Sequence, residues 1–162
     1  MDLDADIENS LDKFFKIKKN RDKAFTFIKR KKPFSIRIIE FYILTYSQIK
    51  NREYLLGSKI FNPHIEYRNT LKLYSKQNFD PFRRGEEVIE FKNSTETESS
   101  ITTSAQLNFL KFVLKNKIDE DITVNLEDIK NELKKNKEQT QDNKKSKKLQ
   151  PFKRISKIKI NF

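Results

Sequence analysis

The sequence has no cysteine and no tryptophan, and it has only two glycines, four prolines and one histidine. Each scarcity removes a class. Without cysteine there is no disulfide framework and no thiolate-ligated metal site. With His64 as the sole imidazole, a histidine-rich metal centre and a Ser–His–Asp hydrolase both lack parts. Two glycines cannot supply the close backbone approaches of a P-loop or a G-x-G-x-x-G turn. Long apolar runs are missing as well. The most apolar stretch, Ile36 to Leu44, is interrupted by Arg37 and Glu40, whereas a spanning helix needs about 20 apolar residues. The first residues carry Asp2, Asp4, Asp6, Glu8 and Asp12, the wrong sign for a signal or transit peptide. The expectation is a soluble, non-secreted protein with no transmembrane segment, or one that touches a membrane only at its surface.

What is abundant is positive charge. The 162 residues carry a formal net charge of +12, and it is unevenly spread. Residues 1–12 sum to −5, 13–32 to +9, 33–129 to −1 and 130–162 to +9. A nearly neutral centre is thus flanked by two basic segments. This divides the chain into an acidic-then-basic N-terminal arm (1–32), a single domain (33–137) and a basic C-terminal tail (138–162). Lysine far outnumbers arginine, and Ile, Asn and Phe are common while Ala and Gly are rare. These are residues of A/T-rich codons, which points to an AT-rich genome.

The structure-forming signal lies in the centre. Phe34 to Ile49 reads as a helix buried on a broad face, with strand as the alternative because of its β-branched content. Arg52 to Phe61, containing Gly57, reads as a connection. Pro63 starts a short amphipathic helix to about Ser75. Glu87 to Lys92 and Ile101 to Thr103 form a hairpin, whose long polar loop, Asn93 to Ser100, is expected to be mobile at its tip. Thr103 or Ser104 caps a helix with Leu107, Leu110 and Leu114 on one stripe, widened by Phe109, Phe112 and Val113. Ile118 to Asn125 reads as a break that returns Ile122 and Val124 to the core. A last helix spans Leu126 to about Lys137, with Leu126, Ile129 and Leu133 inward. Residues 138–150 are too polar to offset ordering entropy and are expected to be disordered. Ile158, Ile160 and Phe162 alternate with Lys157, Lys159 and Asn161 in a strand-like period. The fold class is therefore small α+β: a two-stranded antiparallel hairpin packed with three to four helices, with disordered basic termini.

Three basic constellations are candidate sites. In Lys13–Lys32, the aromatics Phe14, Phe15, Phe25 and Phe27 interleave with Lys16, Lys18, Lys19, Arg21, Lys29, Arg30, Lys31 and Lys32. Such a mixture suits phosphate neutralisation and base stacking, and equally an amphipathic helix with its Phe side in the core. A membrane-surface helix is a third reading, and the acidic first residues could fold over the arm as a lid. The tail carries Lys144, Lys145, Lys147, Lys148, Lys153 and Arg154, which suit phosphate binding or mere solvation. Its end, Ile158, Ile160 and Phe162, could dock as an added strand on a partner sheet. In Tyr67–Arg84, Arg68, Lys72 and Lys76 share a helical face, and Arg83 and Arg84 follow an Asp-Pro turn. These form either an anion clamp or a structural corner in which Asp80 caps the turn and Phe79 and Phe82 enter the core.

Catalytic readings find little support. On a strand, Glu86 and Glu90 face one side and Glu87 the other. His64 beside Pro63 suits a helix start, and Asp119-Glu120-Asp121 lacks the spacing of a calcium loop. No enzyme, no cofactor, no metal and no small-molecule substrate is expected.

The run Tyr67 to Arg84, with its Phe79-Asp80-Pro81-Phe82 corner, followed by Thr102-Thr103-Ser104-Ala105-Gln106-Leu107-Asn108-Phe109, resembles small uncharacterised proteins of nucleocytoplasmic large DNA viruses. The resemblance covers about residues 34–118 and neither basic segment. That family tends to place Cys after Phe-Asp-Pro-Phe and Trp within the second motif; here Arg83 and Phe112 stand in those places. The resemblance implies a viral origin and no established activity. The expectation is a non-enzymatic small viral protein contacting nucleic acid, DNA or RNA, non-specifically through its Lys/Arg-rich arms. The alternative is a minor capsid or virion-core protein docking on a virion partner through its C-terminal tail. Either would act in the virion, the host cytoplasm or the viral factory.

Overall fold

The structure, a computed structural model, describes the backbone of residues 3–30, 33–82 and 88–160, and side chains within 5–30, 33–82 and 88–143. It forms two compact units, residues 1–126 and 127–162.

The first unit is built around α6 (Ser104–Lys115). Leu107, Phe109, Leu110, Phe112 and Val113 are all buried, so apolar side chains cover most of the helix circumference and neighbours must pack on several sides. Helices α1 (Leu3–Phe15) and α2 (Lys18–Ile28) lie against it. In α1, Ile7, Leu11 and Phe15 repeat every four residues and are buried. Ala24, Phe25, Phe27 and Ile28 of α2 are buried as well. The N-terminal segment is therefore folded onto the core with its lysines outward, and α1 keeps Asp6, Glu8 and Asp12 exposed. Among the described residues none of these three acids pairs with a lysine of α2, and Asp2 and Asp4 of the expected lid lie outside the described side chains.

The expected buried helix over 34–49 is present, with an irregularity. It runs as α3 (Ile36–Phe41), a π-helical turn (Tyr42–Tyr46) and α4 (Ser47–Ile49). The wider turn brings Tyr42, Ile43 and Tyr46 inward together. Its displaced backbone is satisfied locally: Ser47 Oγ donates to Ile43 O at 3.0 Å. His64 Nδ1 faces the same carbonyl at 3.2 Å, a contact only a protonated ring nitrogen can make.

Arg52–Phe61 is not a plain connection. Tyr54–Leu56 (β1) and Lys59–Phe61 (β2) pair antiparallel, with Leu55 opposite Ile60. Gly57 and Ser58 make the two-residue turn, and Gly57 supplies its positive φ of 65°, as such turns require. The core side of this hairpin carries the Tyr54 and Phe61 rings, with Phe61 against Phe112. Helix α5 (Pro63–Tyr74) starts as expected: Pro63 occupies its first turn and the Asn62 side chain accepts from Ile65 N at 3.1 Å.

The second hairpin, β3 (Ile89–Lys92) with β4 (Ser99–Thr102), is the one the sequence predicts. Its loop is held rather than loose. Asn93 Oδ1 accepts from Thr97 N and Glu98 N at 3.0 and 3.2 Å. Asp22 of α2 accepts from Ser94 N and Ser94 Oγ at 2.8 and 2.6 Å. The expected break after α6 is a helix, α7 (Ile118–Val124), begun by a left-handed Lys117 at φ 55°. Ile118 and Ile122 are fully buried, whereas Val124 is 82% exposed rather than in the core.

In the second unit, α8 (Leu126–Ile160) follows the predicted last helix and continues through 138–150, where disorder was expected. Lys, Gln and Glu are good helix formers, so a stretch that cannot form a core can still be helical. Lys157–Ile160 is helical as well, not a strand.

Candidate nucleic-acid interface

Helix α2 sorts its residues by side. Phe25, Phe27 and Ile28 are buried, while Lys18, Lys19, Lys29 and Arg30 are exposed, as is Lys16 just before the helix. Lys29 lies over the Phe25 ring, 5.8 Å from its centroid. Asp22, the sole acid of the 13–32 segment, is taken up by Ser94, whose side-chain and then backbone hydrogen bonds hold its carboxyl below the ordinary value. Two cations of the segment are committed elsewhere. Arg21 donates Nε to Lys92 O at 2.7 Å and covers the Phe91 ring. Lys23 pairs with Asp119 at 3.3 Å.

Two openings adjoin this layer. Between α1 and α6 a groove of about 600 Å³ is lined by Asp6, Asn9, Ser10, Lys13, Phe14, Lys111 and Lys115. Lys111 donates to Ser10 Oγ. Burial, and then the charge of Lys115 one turn along, push the Lys111 ammonium below its usual pKa. Two cations held together at such cost form a place that an anion would relieve. The second opening, about 570 Å³, lies where the end of α2 meets the start of α3. Arg30, Arg37, Glu40, Phe82 and Gln106 line it, with Ile28 and Ile36 as walls.

Residues that look chemical in the sequence turn out to brace the fold. Asp121 accepts from Arg52 in a bidentate pair along one guanidinium edge, Nε at 2.8 Å and Nη2 at 2.5 Å, and from the Tyr42 hydroxyl. Burial alone would raise this carboxyl, but the Arg52 and then Tyr42 hydrogen bonds outweigh it and hold the pKa low. Burial and the hydrogen bond to Asp121 push the Tyr42 hydroxyl far upward. The shared motif around Thr102–Phe109 is likewise a clasp. Thr103 Oγ1 accepts from Gln106 N at 3.1 Å. The Gln106 side chain accepts from Thr102 Oγ1 at 2.6 Å and donates to Pro81 O at 2.9 Å. Asn108 donates to Asn78 O at 2.9 Å, and Asp80 Oδ1 accepts from Phe82 N at 3.0 Å. Of the structural reading of the Phe-Asp-Pro-Phe corner, the Asp80 turn and the buried Phe79 are present, Phe79 being 1% exposed and packed on Tyr67, Phe109 and Phe112, while Phe82 is half-buried and Arg83 and Arg84, on which the clamp reading rests, lie outside the described residues.

The predicted site residues do not converge on one place. Lys16, Lys18, Lys19, Lys29 and Arg30 share the α1–α2 layer. Lys72 and Lys76 are exposed along and just past α5, which packs on the π-helical turn and α4. Lys31, Lys32, Arg83, Arg84 and Phe162 lie outside the described residues. Lys144, Lys145, Lys147, Lys148, Lys153, Arg154, Ile158 and Ile160 fall in the helical run of α8, and their side chains lie outside the described ones. The sequence reading missed Arg37, whose signal was an arginine interrupting an apolar run, and the pair Lys111 and Lys115, four apart on the clearest helix. No helix among the described residues is long and apolar enough to cross a membrane.

Two hairpins on a helical core, with internal carboxylates absorbed into braces and lysine and arginine left at the openings, make a small α+β protein. Over residues 2–160 the chain matches, and belongs to, a family of unknown function, DUF7197. It is 38% identical over 122 residues to the uncharacterized protein L507 of Acanthamoeba polyphaga mimivirus. That alignment covers 67% of this chain and 46% of the relative, so the chain spans about half the length of the curated relative it matches. The viral class implied by the Phe-Asp-Pro-Phe and Thr-Thr-x-x-Gln motifs is thereby supported. No solved structure matches.

Proposed function

We propose that this protein is a non-enzymatic viral protein that contacts nucleic acid through phosphates and without reading sequence. The observation that carries this is the sorting of α2: its phenylalanines are buried and Lys18, Lys19, Lys29 and Arg30 are exposed, outnumbering the one carboxylate of the segment, Asp22. Buried rings cannot stack on bases, so this face offers charge alone, which positions a backbone and conveys no sequence preference. The groove with Lys13, Lys111 and Lys115 adds a second cationic strip. Such a protein would act in the virion or the viral factory.

The test is a salt titration of the full chain against labelled duplex DNA, single-stranded DNA and duplex RNA. Replacing Lys18, Lys19 and Lys29 together by Gln is expected to weaken binding to different duplex DNA sequences alike. Each lost phosphate contact should flatten the slope of log K against log salt by about 0.9. Unchanged affinity and slope in the triple variant would sink the proposal.

A second reading, docking on a virion protein, is favoured by the outward pair Leu55 and Ile60, 73% and 69% exposed on the β1–β2 hairpin. It moves the docking element from the tail to that hairpin. Under it, the same titration shows no salt-dependent binding to any nucleic acid.

A further inference from the structure

The side of α6 that carries Phe112 is roofed by two elements. Phe61 of β2 and Tyr67 of α5 both pack on the Phe112 ring, with centroids 6.3 and 6.2 Å away. The β1–β2 hairpin and α5 therefore form one layer, and what they turn away from Phe112 faces outward on the same side of the first unit. On the hairpin this is Leu55 and Ile60, which stand opposite each other across the strands, on the face away from the Tyr54 and Phe61 rings. On α5 it is the stripe opposite the buried Tyr67, where Ile65 and Leu73 lie two turns apart. All four aliphatic side chains are more than half exposed. Single exposed aliphatics are ordinary on a protein surface, but four on one layer make a patch that calls for an explanation. Arg68, Lys72 and, just past the helix, Lys76 are exposed beside them. None of these three cations has an ion-pair partner among the described residues. With Lys59 at the hairpin turn they outnumber the exposed carboxylates of the layer, Glu53 and Glu66.

The make-up of this face decides what would cover it. A nucleic-acid backbone would engage the cations and leave the aliphatic side chains in water. Protein interfaces favour aromatic rings and methionine and avoid lysine, whereas no aromatic ring is among the exposed side chains of this layer. Aliphatic groups interspersed with lysine and arginine suit the boundary of a bilayer. The apolar groups enter the acyl margin, and the cations keep their heads among the lipid headgroups. The surplus of cations requires those headgroups to be anionic. We propose that the layer of the β1–β2 hairpin and α5 docks on an anionic phospholipid surface. Leu55, Ile60, Ile65 and Leu73 enter the boundary, and Arg68, Lys72 and Lys76 pair with lipid phosphates and carboxylates. The protein then lies on the membrane and does not cross it. This goes beyond the nucleic-acid reading, which uses α2, and shares with the virion-docking reading only the outward pair Leu55 and Ile60.

All the residues to be changed are exposed, so their variants leave the core intact, which circular dichroism checks. The full chain is mixed with phosphatidylcholine vesicles, with and without phosphatidylserine, and the bound fraction is read by flotation. Binding is expected to the phosphatidylserine vesicles and not to the neutral ones, and it should fall as ionic strength rises from about 0.01 to about 0.15 M. Leu55→Gln with Ile60→Gln, and Ile65→Gln with Leu73→Gln, should each weaken binding about tenfold through lost apolar burial. Replacing Arg68, Lys72 and Lys76 together by Gln should weaken it about fivefold per cation at low salt. Replacing Lys18, Lys19 and Lys29 by Gln, the variant that probes the nucleic-acid reading, should weaken vesicle binding less than the α5 triple does. No binding to phosphatidylserine vesicles would overturn the proposal. So would binding indifferent to both aliphatic pairs, since charge alone would then account for it, and so would binding that follows the α2 lysines and not the α5 cations. Sedimentation of the full chain separates a second copy from a membrane. A dimer that Leu55→Gln with Ile60→Gln splits, with vesicle binding unchanged, would assign the face to self-association and reject the bilayer.

Discussion

At Asp121 four hydrogen bonds from three residues, Arg52, Tyr42 and Asn125, meet one carboxylate whose side chain is 9% exposed. Removing Arg52 would leave a largely buried charge without its counterion, which costs more than the pair itself contributes. Arg52→Ala is therefore expected to lower unfolding free energy by about 3 kcal/mol, measured by urea denaturation at neutral pH. The sign of the pH dependence follows from the depressed carboxyl. Its contribution is fully present above the ordinary value of 3.8 and is lost as pH falls through the lower folded value. Wild type should thus lose stability steeply in acid, below about pH 4, and Asp121→Asn, already weaker at neutral pH, should lose less there. An equally steep acid limb in Asp121→Asn would place the effect on other carboxylates. None of this was visible in the sequence, where Asp119-Glu120-Asp121 is a bare acidic run and Arg52 lies 69 positions from its partner.

Among the elements, α6 shows how much of a helix can be read ahead of its structure. Its cap, Thr103, and its apolar stripe were both legible, because capping and periodicity are local. The role of Gln106 was not, because its partners are Thr102 and Pro81, the latter 25 positions away. Gln106→Leu keeps the volume but strands the Pro81 carbonyl and the Thr102 hydroxyl in a buried site. It is expected to cost about 2 kcal/mol, more than the roughly 1 kcal/mol of Thr103→Ala at the cap, both read from chemical denaturation. The reverse order would mean that the corner is held by its aromatic packing alone. The β1–β2 hairpin failed as a sequence reading for a different reason. Its three-residue strands are too short to alternate visibly, and Gly57-Ser58 was the one signal.

For the molecule as a whole, the charge found in two flanking segments is reorganised by folding. The N-terminal one is part of the first compact unit, and its Lys13 lines one groove with Lys111 and Lys115 through the packing of α1 on α6. Folding thus concentrates like charge, at a free-energy cost that salt screens. Raising ionic strength from 0.01 to 0.15 M shortens the Debye length from about 30 to about 8 Å. The melting temperature is expected to rise over that range, and to rise further with phosphate than with chloride at equal ionic strength, because phosphate occupies the arginine and lysine openings. A fall with added salt would mean that attractive surface pairs outweigh the repulsion.

The sequence by itself determined the α+β class, the helix start at Pro63, a cap at Thr103 or Ser104 with the helix that follows it, and the viral family through its two motifs, since these depend on neighbours a few residues apart. Only the tertiary structure decided which charges are spent. It gave Lys23 to Asp119 and Arg52 to Asp121, and it left Arg30 and Arg37 to line one opening. Those outcomes depend on how helices pack across tens of positions in sequence, and a count of lysines and acids carries no record of that.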